Sequence, residues 1–455
     1  MGAWARGCAL LLTSLTLLEG GCADSQNRTL SEAESAYEAG QYDRARALVE
    51  AAAQTSFERA VPLRRLRILS EIATGRIETG LALLAEVTPA AQAKPLWKEA
   101  MLALLRGAMR HENFFVRSAA IKAIGETQDR NLVHLLLPAL KDSESFVRFF
   151  AVEALGQMKG DMAVPLLMAA GVDPETMVRV AAVKALDARE EGARLLVPFT
   201  KDAETAVRAF AWAGLAKRGD AKALSNLMEM ARMRPDDPAM PAALGMSQHP
   251  AVFPLLEKML THTEAAMRMY AAEALGHFAI PEIYPLLAAR KQEREASARA
   301  AVIAAVGRLK DAKATSHLLE AALDSDLSVR IAAAEGLARR GQWREEIYQE
   351  ALRHEDYGVR HFAVGSLRKV AQQAKRDIRQ SAIAMLLQTM AMDTAQRVRI
   401  AAVRAIGALS ETGAIPALKE RLRDEDLSVR AYAAGNLYHL LDIPSTGSSP
   451  SDRSS

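Results

Sequence analysis

Cysteine is missing from nearly the whole chain: Cys8 and Cys22 are its only two, and both fall in the first 22 residues. The rest can form neither disulfides nor thiolate-ligated zinc sites, so packing must hold it together. Aromatic residues are scarce, at 5%, which excludes a core built around large rings. Neither sign of charge is in excess, with 58 Lys and Arg against 55 Asp and Glu. That balance is not the one-sided basic footprint of a nucleic-acid binder. The one marked apolar run, Ala9 to Leu18, has about half the length that spans a bilayer. What the chain does have is alanine, roughly a fifth of all residues and well above ordinary usage. Alanine is the best helix former, and its small side chain lets helix axes approach closely. A length of 455 residues, half of them apolar, exceeds one compact core and excludes wholesale disorder. Several domains or one extended helical array remain.

The N-terminal segment carries Arg6 before the apolar run and Leu18-Glu-Gly-Gly-Cys22 after it, the layout of an export signal. Arg6 stands where myristoylation needs Ser or Thr. The Leu-x-Gly-Gly-Cys sequence resembles the lipobox of bacterial lipoproteins, although Glu19 stands where that family usually has Leu. The resemblance implies cleavage before Cys22, lipidation of its thiol, and anchoring through two or three acyl chains. Ala23, following the cysteine, favours the outer membrane under the common sorting rule. Cleavage after Ala23 with release as a soluble periplasmic or secreted protein is the second reading, and an uncleaved cytosolic N-terminus the third.

Internal repetition governs the rest of the chain. Arg117, Arg148, Arg179, Arg208, Arg268, Arg299, Arg330, Arg360, Arg399 and Arg430 recur at intervals of 31, 31, 29, 60, 31, 31, 30, 39 and 31 residues. The interval of 60 hides a worn copy in which Asp237 replaces the arginine, giving about eleven units. Three residues after each arginine stands alanine (Ala120, Ala151, Ala182 and onward, with Val302 the exception), and seven after stands Ile, Leu or Val. With the apolar residue four on, this is the stripe of a one-sided helix. Five on, the position turns polar in most units: Lys122, Glu153, Lys184, Glu273, Glu335 and Arg404. These are expected to be solvated. Acidic turns precede the arginines, with Asp142, Asp173, Asp202, Asp324 and Asp424 placed to cap the following helix and complement its dipole. A second short apolar helix lies upstream, often with a proline, so each unit is a hairpin whose apolar face needs a neighbour.

The pattern Asp-x-x-x-x-Val-Arg-x-x-Ala-x-x-Ala-Leu-Gly resembles HEAT repeats, in the short bacterial form also seen in phycobilisome-lyase-like proteins. The resemblance covers residues 96–441. It implies an all-α, right-handed superhelical solenoid whose second helices, with Lys122, Glu153, Lys184, Glu273, Glu335 and Arg404, line a concave surface, and in which the Arg and Asp positions stack between units as a ladder. Upstream, Ala36-Tyr37 with Gly40-Gln-Tyr42 and Ala45 is echoed 35 residues on by Ile72, Gly75, Ile77, Gly80 and Leu84. This is similar to tetratricopeptide repeats, and implies a cap of such hairpins over residues 31–90. The expected order is signal peptide 1–21, linker 22–30, capping hairpins 31–90, array 96–441 and disordered tail 442–455.

Few residues suggest chemistry. The Arg column reads as a structural ladder rather than an anion stripe. A metal site is not expected. Deoxyhypusine hydroxylases bind metal through His-Glu pairs on the second helices, but here His111-Glu112 and His354-Glu355 lie in turns, and His361 is followed by Phe362. Aromatics two residues after the arginine (Phe150, Phe210, Tyr270, Phe362, Tyr432) are expected to fill space beside alanine. Two irregularities stand out. Five of the 17 prolines lie in 235–254, predicting a bend or exposed loop, and the 39-residue interval holds an insertion near 369–385. No phosphate loop or nucleophile elbow is present. The expected function is a non-enzymatic scaffold of the bacterial envelope, without cofactor, metal or nucleic acid, that binds protein partners on its concave face. The alternative is a phycobilin-lyase-like protein acting on a chromophore or protein substrate.

Overall fold

The structure, a computed structural model, describes residues 28–53, 61–86, 90–158, 160 and 162–443. The expected signal peptide, Cys22 and residues 444–455 of the expected tail lie outside the described residues. Every regular element among the described residues is helical, and none is long and apolar enough to cross a membrane. The chain divides into two compact units, residues 1–112 and 113–455.

The first unit holds helices over 28–38, Tyr42–Ala53, Val61–Ala73, Ile77–Ala85 and Ala90–Ala108. The first helix begins inside the stretch expected to be a linker. Two hairpins turn at Gly40 and Gly75, whose φ of 75° and 85° lie in the left-handed region that glycine adopts freely. Gly40 and its echo Gly75 are thus the turns, while Gly80 is buried inside helix Ile77–Ala85. Leu66, Leu69 and Ile72 of the third helix and Met101 and Leu105 of the fifth are buried in the core. Helix Ala90–Ala108, expected to open the array, packs on Val61–Ala73 and belongs to this unit.

The second unit is a layer of eleven second helices backed by shorter first helices and 3-10 turns. The second helices are Phe114–Glu126, Ser145–Gln157, Thr176–Asp187, Thr205–Ala216, Ala239–Met246, Ala265–Gly276, Ala296–Arg308, Leu327–Ala338, Tyr357–Gln373, Gln396–Ala408 and Leu427–Leu440. We number the repeats by these helices. Each packs on the next, and the recurring sequence shows how. Ala120, Ala151 and Ala182 are fully buried at the crossings. The glycine of Ala-Leu-Gly seats the following helix: a Cβ on Gly125 would lie 2.7 Å from the Ala154 Cβ, and one on Gly156 3.0 Å from that of Ala185. Eleven residues past the arginine position the chain turns through a left-handed residue, which is Gln128, Gln248, Ala279 or Ser410 in four repeats and Gly219 or Gly341 in two.

The prolines of 235–254 do not open a loop. Pro238 precedes Ala239–Met246, Pro241 lies in that helix's first turn, and Pro250 and Pro254 start the next two helical segments. At helix starts the missing N–H costs nothing. Pro235 lies in the turn between helices. Their effect is on length: this second helix has eight residues. Asp237, in the arginine position, accepts a hydrogen bond from the Ala239 N–H instead (2.9 Å). The insertion lengthens two consecutive helices, Tyr357–Gln373 and Arg376–Met392, to 17 residues each.

The second unit closes on itself. The eleventh second helix, Leu427–Leu440, packs against the first, Phe114–Glu126, so the stacked hairpins form a ring. The last repeat carries its own sequence for this joint, Gly435-Asn436-Leu437-Tyr438 where earlier units approach x-Ala-Leu-Gly. A Cβ on Gly435 would come within 2.8 Å of the Ala123 carbonyl oxygen. The Tyr438 hydroxyl donates to Asp129 (2.8 Å), and Asn436 donates back to the Val403 carbonyl (2.7 Å).

Candidate interaction surface

The arginine column is a ladder between repeats. Arg117 donates to Asp142, Arg148 to Asp173, Arg179 to Asp202, Arg299 to Asp324 and Arg399 to Asp424, each through Nε and Nη2 at 2.7–3.1 Å. The acid in each case comes from the following repeat. Three partners escaped the sequence reading: Glu293 for Arg268, Glu350 for Arg330 and Asp393 for Arg360. Glu293 is longer than aspartate, while Glu350 and Asp393 lie 20 and 33 residues from their arginines instead of 25. The remaining Nη1 reaches back along its own chain; that of Arg148 donates to the Asp142 and Ser143 carbonyls (2.9 and 3.2 Å). Arg208 donates through Nη1 to the Asp202 and Ala203 carbonyls and through Nη2 to the Thr205 hydroxyl (3.4 Å), Arg430 donates through Nε to the Asp424 carbonyl, and neither forms an ion pair with a carboxylate among the described residues. They flank the worn repeat and the ring joint.

Ionisation follows from these contacts. Burial would raise the carboxyls of Asp142, Asp173 and Asp202, but hydrogen bonds from the paired arginine and a backbone N–H, with the arginine charges, hold them below their usual value. For Asp324 and Glu293 the arginine hydrogen bond is the largest influence, and both are also lowered.

The polar column five residues after the arginine turns toward the inside of the ring. Arg404 of the tenth repeat lines one cleft with His361 of the ninth, His439 of the eleventh, Glu126 of the first and Gln157 of the second, five consecutive repeats around the closed joint whose side chains converge on one face of the ring. The column is less solvated than expected. The Lys122 ammonium lies 4.3 Å from the centre of the Phe150 ring, that of Lys184 lies 4.1 Å from Phe210, and the Arg404 guanidinium lies 5.2 Å from Tyr432. Cations of one repeat therefore stack on aromatics of the next, a contact worth about 0.5–1 kcal/mol at an exposed site. Burial lowers the pKa of both lysines. Glu335 corrects the expectation outright: it is 5% exposed, held by Arg339 (2.7 Å) and Lys369 (3.3 Å). Lys369 reaches it from the next repeat, nine residues after Arg360. Glu153 is half-buried, and only Lys184 and Glu273 of the column are exposed. Phe362 is 40% exposed and unstacked among the described rings.

The family model of HEAT repeats matches residues 101–187 and 345–437. No curated protein matches the chain. Similar solved structures include an engineered protein (17% identity, TM-score 0.27, 74% of this chain and 98% of that one). Human deoxyhypusine hydroxylase in complex with glycerol is another (20% identity, TM-score 0.29, 61% and 95%). A third is the karyopherin Kap121p bound to the extreme C-terminus of the phosphatase Cdc14p (15% identity, TM-score 0.35, 84% and 48%). The sequence match falls on stacked helix hairpins at both places, and the chain carries HEAT repeats over residues 101–187 and 345–437.

Proposed function

We propose that this protein is a non-enzymatic scaffold that binds protein partners and is tethered to the bacterial cell envelope through lipid on Cys22. One observation carries the binding role. The repeats hold a constant frame of ladder, alanine crossing and glycine seat, while residues facing the interior differ from repeat to repeat. A fixed frame with a varied inner face is what repeat proteins use for recognition. Ring closure narrows the reading: the inner face takes side chains and segments of a partner rather than a whole domain. The tether rests on Gly20-Gly-Cys22 after the apolar run. Cleavage after Ala23 would give the same scaffold in soluble form.

The test expresses the full chain and its Cys22→Ala variant, then compares membrane fractionation and incorporation of a fatty-acid analogue. Labelled, membrane-bound wild type and unlabelled, soluble variant are expected. An unprocessed, unlabelled cytosolic wild type removes the envelope assignment and favours the lyase alternative. Cross-linking in envelope extracts followed by capture reads the scaffold role, and a chain that captures no protein loses it.

A further inference from the structure

The cleft is built mainly by the ninth and tenth repeats, with residues of the eleventh, first and second closing it, and has a volume of about 500 Å³. Its charge is uneven. Arg368, Arg404, His361 and His439 line it against a single carboxylate, Glu126, and that one already bonds Arg404 (2.6 Å). Arg368 is exposed, and no hydrogen bond or ion pair is formed by it among the described residues. Its position is also unusual. Eight residues after the arginine, six repeats carry the glycine that seats the next helix (Gly125, Gly156, Gly245, Gly276, Gly307 and Gly407), whereas the ninth carries Arg368. The floor beside it is open, because a Cβ on Gly365 would meet no atom within 4 Å. His361 supports the sign of the local field. Burial first, then the nearby charges of Arg404 and Arg397, lower its pKa.

We propose that this cleft binds an acidic peptide segment of a protein partner, with Arg368 and the outer edge of Arg404 receiving its carboxylates and the space over Gly365 receiving its backbone. The inference rests on the scaffold reading and names the chemistry of what the scaffold holds. Arginine forks pair with carboxylates in two-point contacts. A volume of about 500 Å³ accommodates a few residues, in the range of ordinary ligand sites. Glu335, elsewhere on the inner face, is already paired with both Arg339 and Lys369, whereas Arg368 in this cleft meets no carboxylate among the described residues.

The probe is a fluorescein-labelled octaglutamate peptide, titrated by fluorescence anisotropy into the purified full chain, with octalysine as comparison. Saturable binding of octaglutamate that weakens with salt, and none of octalysine, is expected. Gly365→Phe fills the open floor without displacing a neighbour, and Arg368→Glu reverses the free charge. Each is expected to weaken binding at least tenfold at unchanged melting temperature. No saturation by octaglutamate, or full binding by both folded variants, overturns the cleft. If octaglutamate fails while cross-linking still captures a partner, the cleft is wrong and the scaffold stands. If octaglutamate binds wild type alone while nothing is captured, the cleft is supported and the envelope scaffold is what fails.

Discussion

Arg404 and Glu126 form an ion pair at 2.6 Å across 278 residues of sequence, and with Tyr438 and Asp129 they join the last repeat to the first. Arg404 also lies over Tyr432, so one guanidinium serves the tenth, eleventh and first repeats at once. Its side chain is 38% exposed, and solvent screens the pair, so its own worth is about 1 kcal/mol. Glu126→Arg should therefore lower stability modestly. Combining it with Arg404→Glu should recover most of the loss. A double-mutant cycle in urea that shows no coupling would mean the joint does not form in solution.

Gly435 is the tighter test of closure. A side chain there meets the Ala123 backbone, which cannot yield as a flexible side chain would. Gly435→Leu should cost about 1–3 kcal/mol by overpacking. It should also raise the radius of gyration seen by small-angle scattering. An unchanged radius together with unchanged stability would contradict the ring.

The ladder predicts acid sensitivity. Asp142, Asp173, Asp202, Asp324 and Glu293 all have lowered folded-state pKa values. Their contribution is complete above the unfolded carboxyl pKa, near pH 4, and is lost as pH falls through the lower folded values. Asp173→Asn removes a carboxylate 9% exposed and should cost about 2 kcal/mol at neutral pH. That cost should shrink below about pH 3. Denaturant melts across pH would show it as converging curves, and parallel curves would refute it.

Ala279 adopts a φ of 52° at an exposed position. The left-handed conformation costs a residue with a Cβ about 1 kcal/mol, partly offset by the extra entropy glycine loses on folding. Ala279→Gly should thus raise stability by up to about 1 kcal/mol, read as a higher melting temperature. A lower one would show that the turn differs.

The array was legible in the sequence because each unit repeats the same contacts: arginine to acid, alanine to crossing helix, glycine to its seat. Asp142 and Asp173 could be paired by spacing, but Glu350 and Asp393 could not, since the length of the intervening helix sets their register. Lys122, which is half-buried, read as solvated because periodicity within one helix does not reveal the Phe150 ring that the next helix places over it. Glu335 was misjudged for the same reason, its partner Lys369 lying one repeat away. Closure was illegible because it sums small rotations between repeats, and no local pattern encodes that sum. Its trace, Gly435-Asn436-Leu437-Tyr438, looks like drift until the first helix is seen beside it.

Asn436 shows how closely neighbouring joints are matched. Its side-chain amide occupies the space that a Cβ on Gly407 would need. Gly407→Ala should cost about 1–3 kcal/mol, and Asn436→Ala in the same chain should restore much of it by recreating the glycine-alanine seat of other repeats. Failure of the second change to help would show that the loss comes from the helix rather than the joint.

A ring also turns the number of repeats into a fixed integer. An open solenoid can lengthen or shorten by one hairpin and present a slightly different reach, because its last repeat faces water in either case. Here the duplication or loss of any hairpin would leave a gap or an overlap at the joint between Leu427–Leu440 and Phe114–Glu126. Change must then proceed by substitution inside existing units. The worn fifth repeat, stripped of its arginine and reduced to an eight-residue second helix, is the form expected of a unit that can erode but cannot be removed.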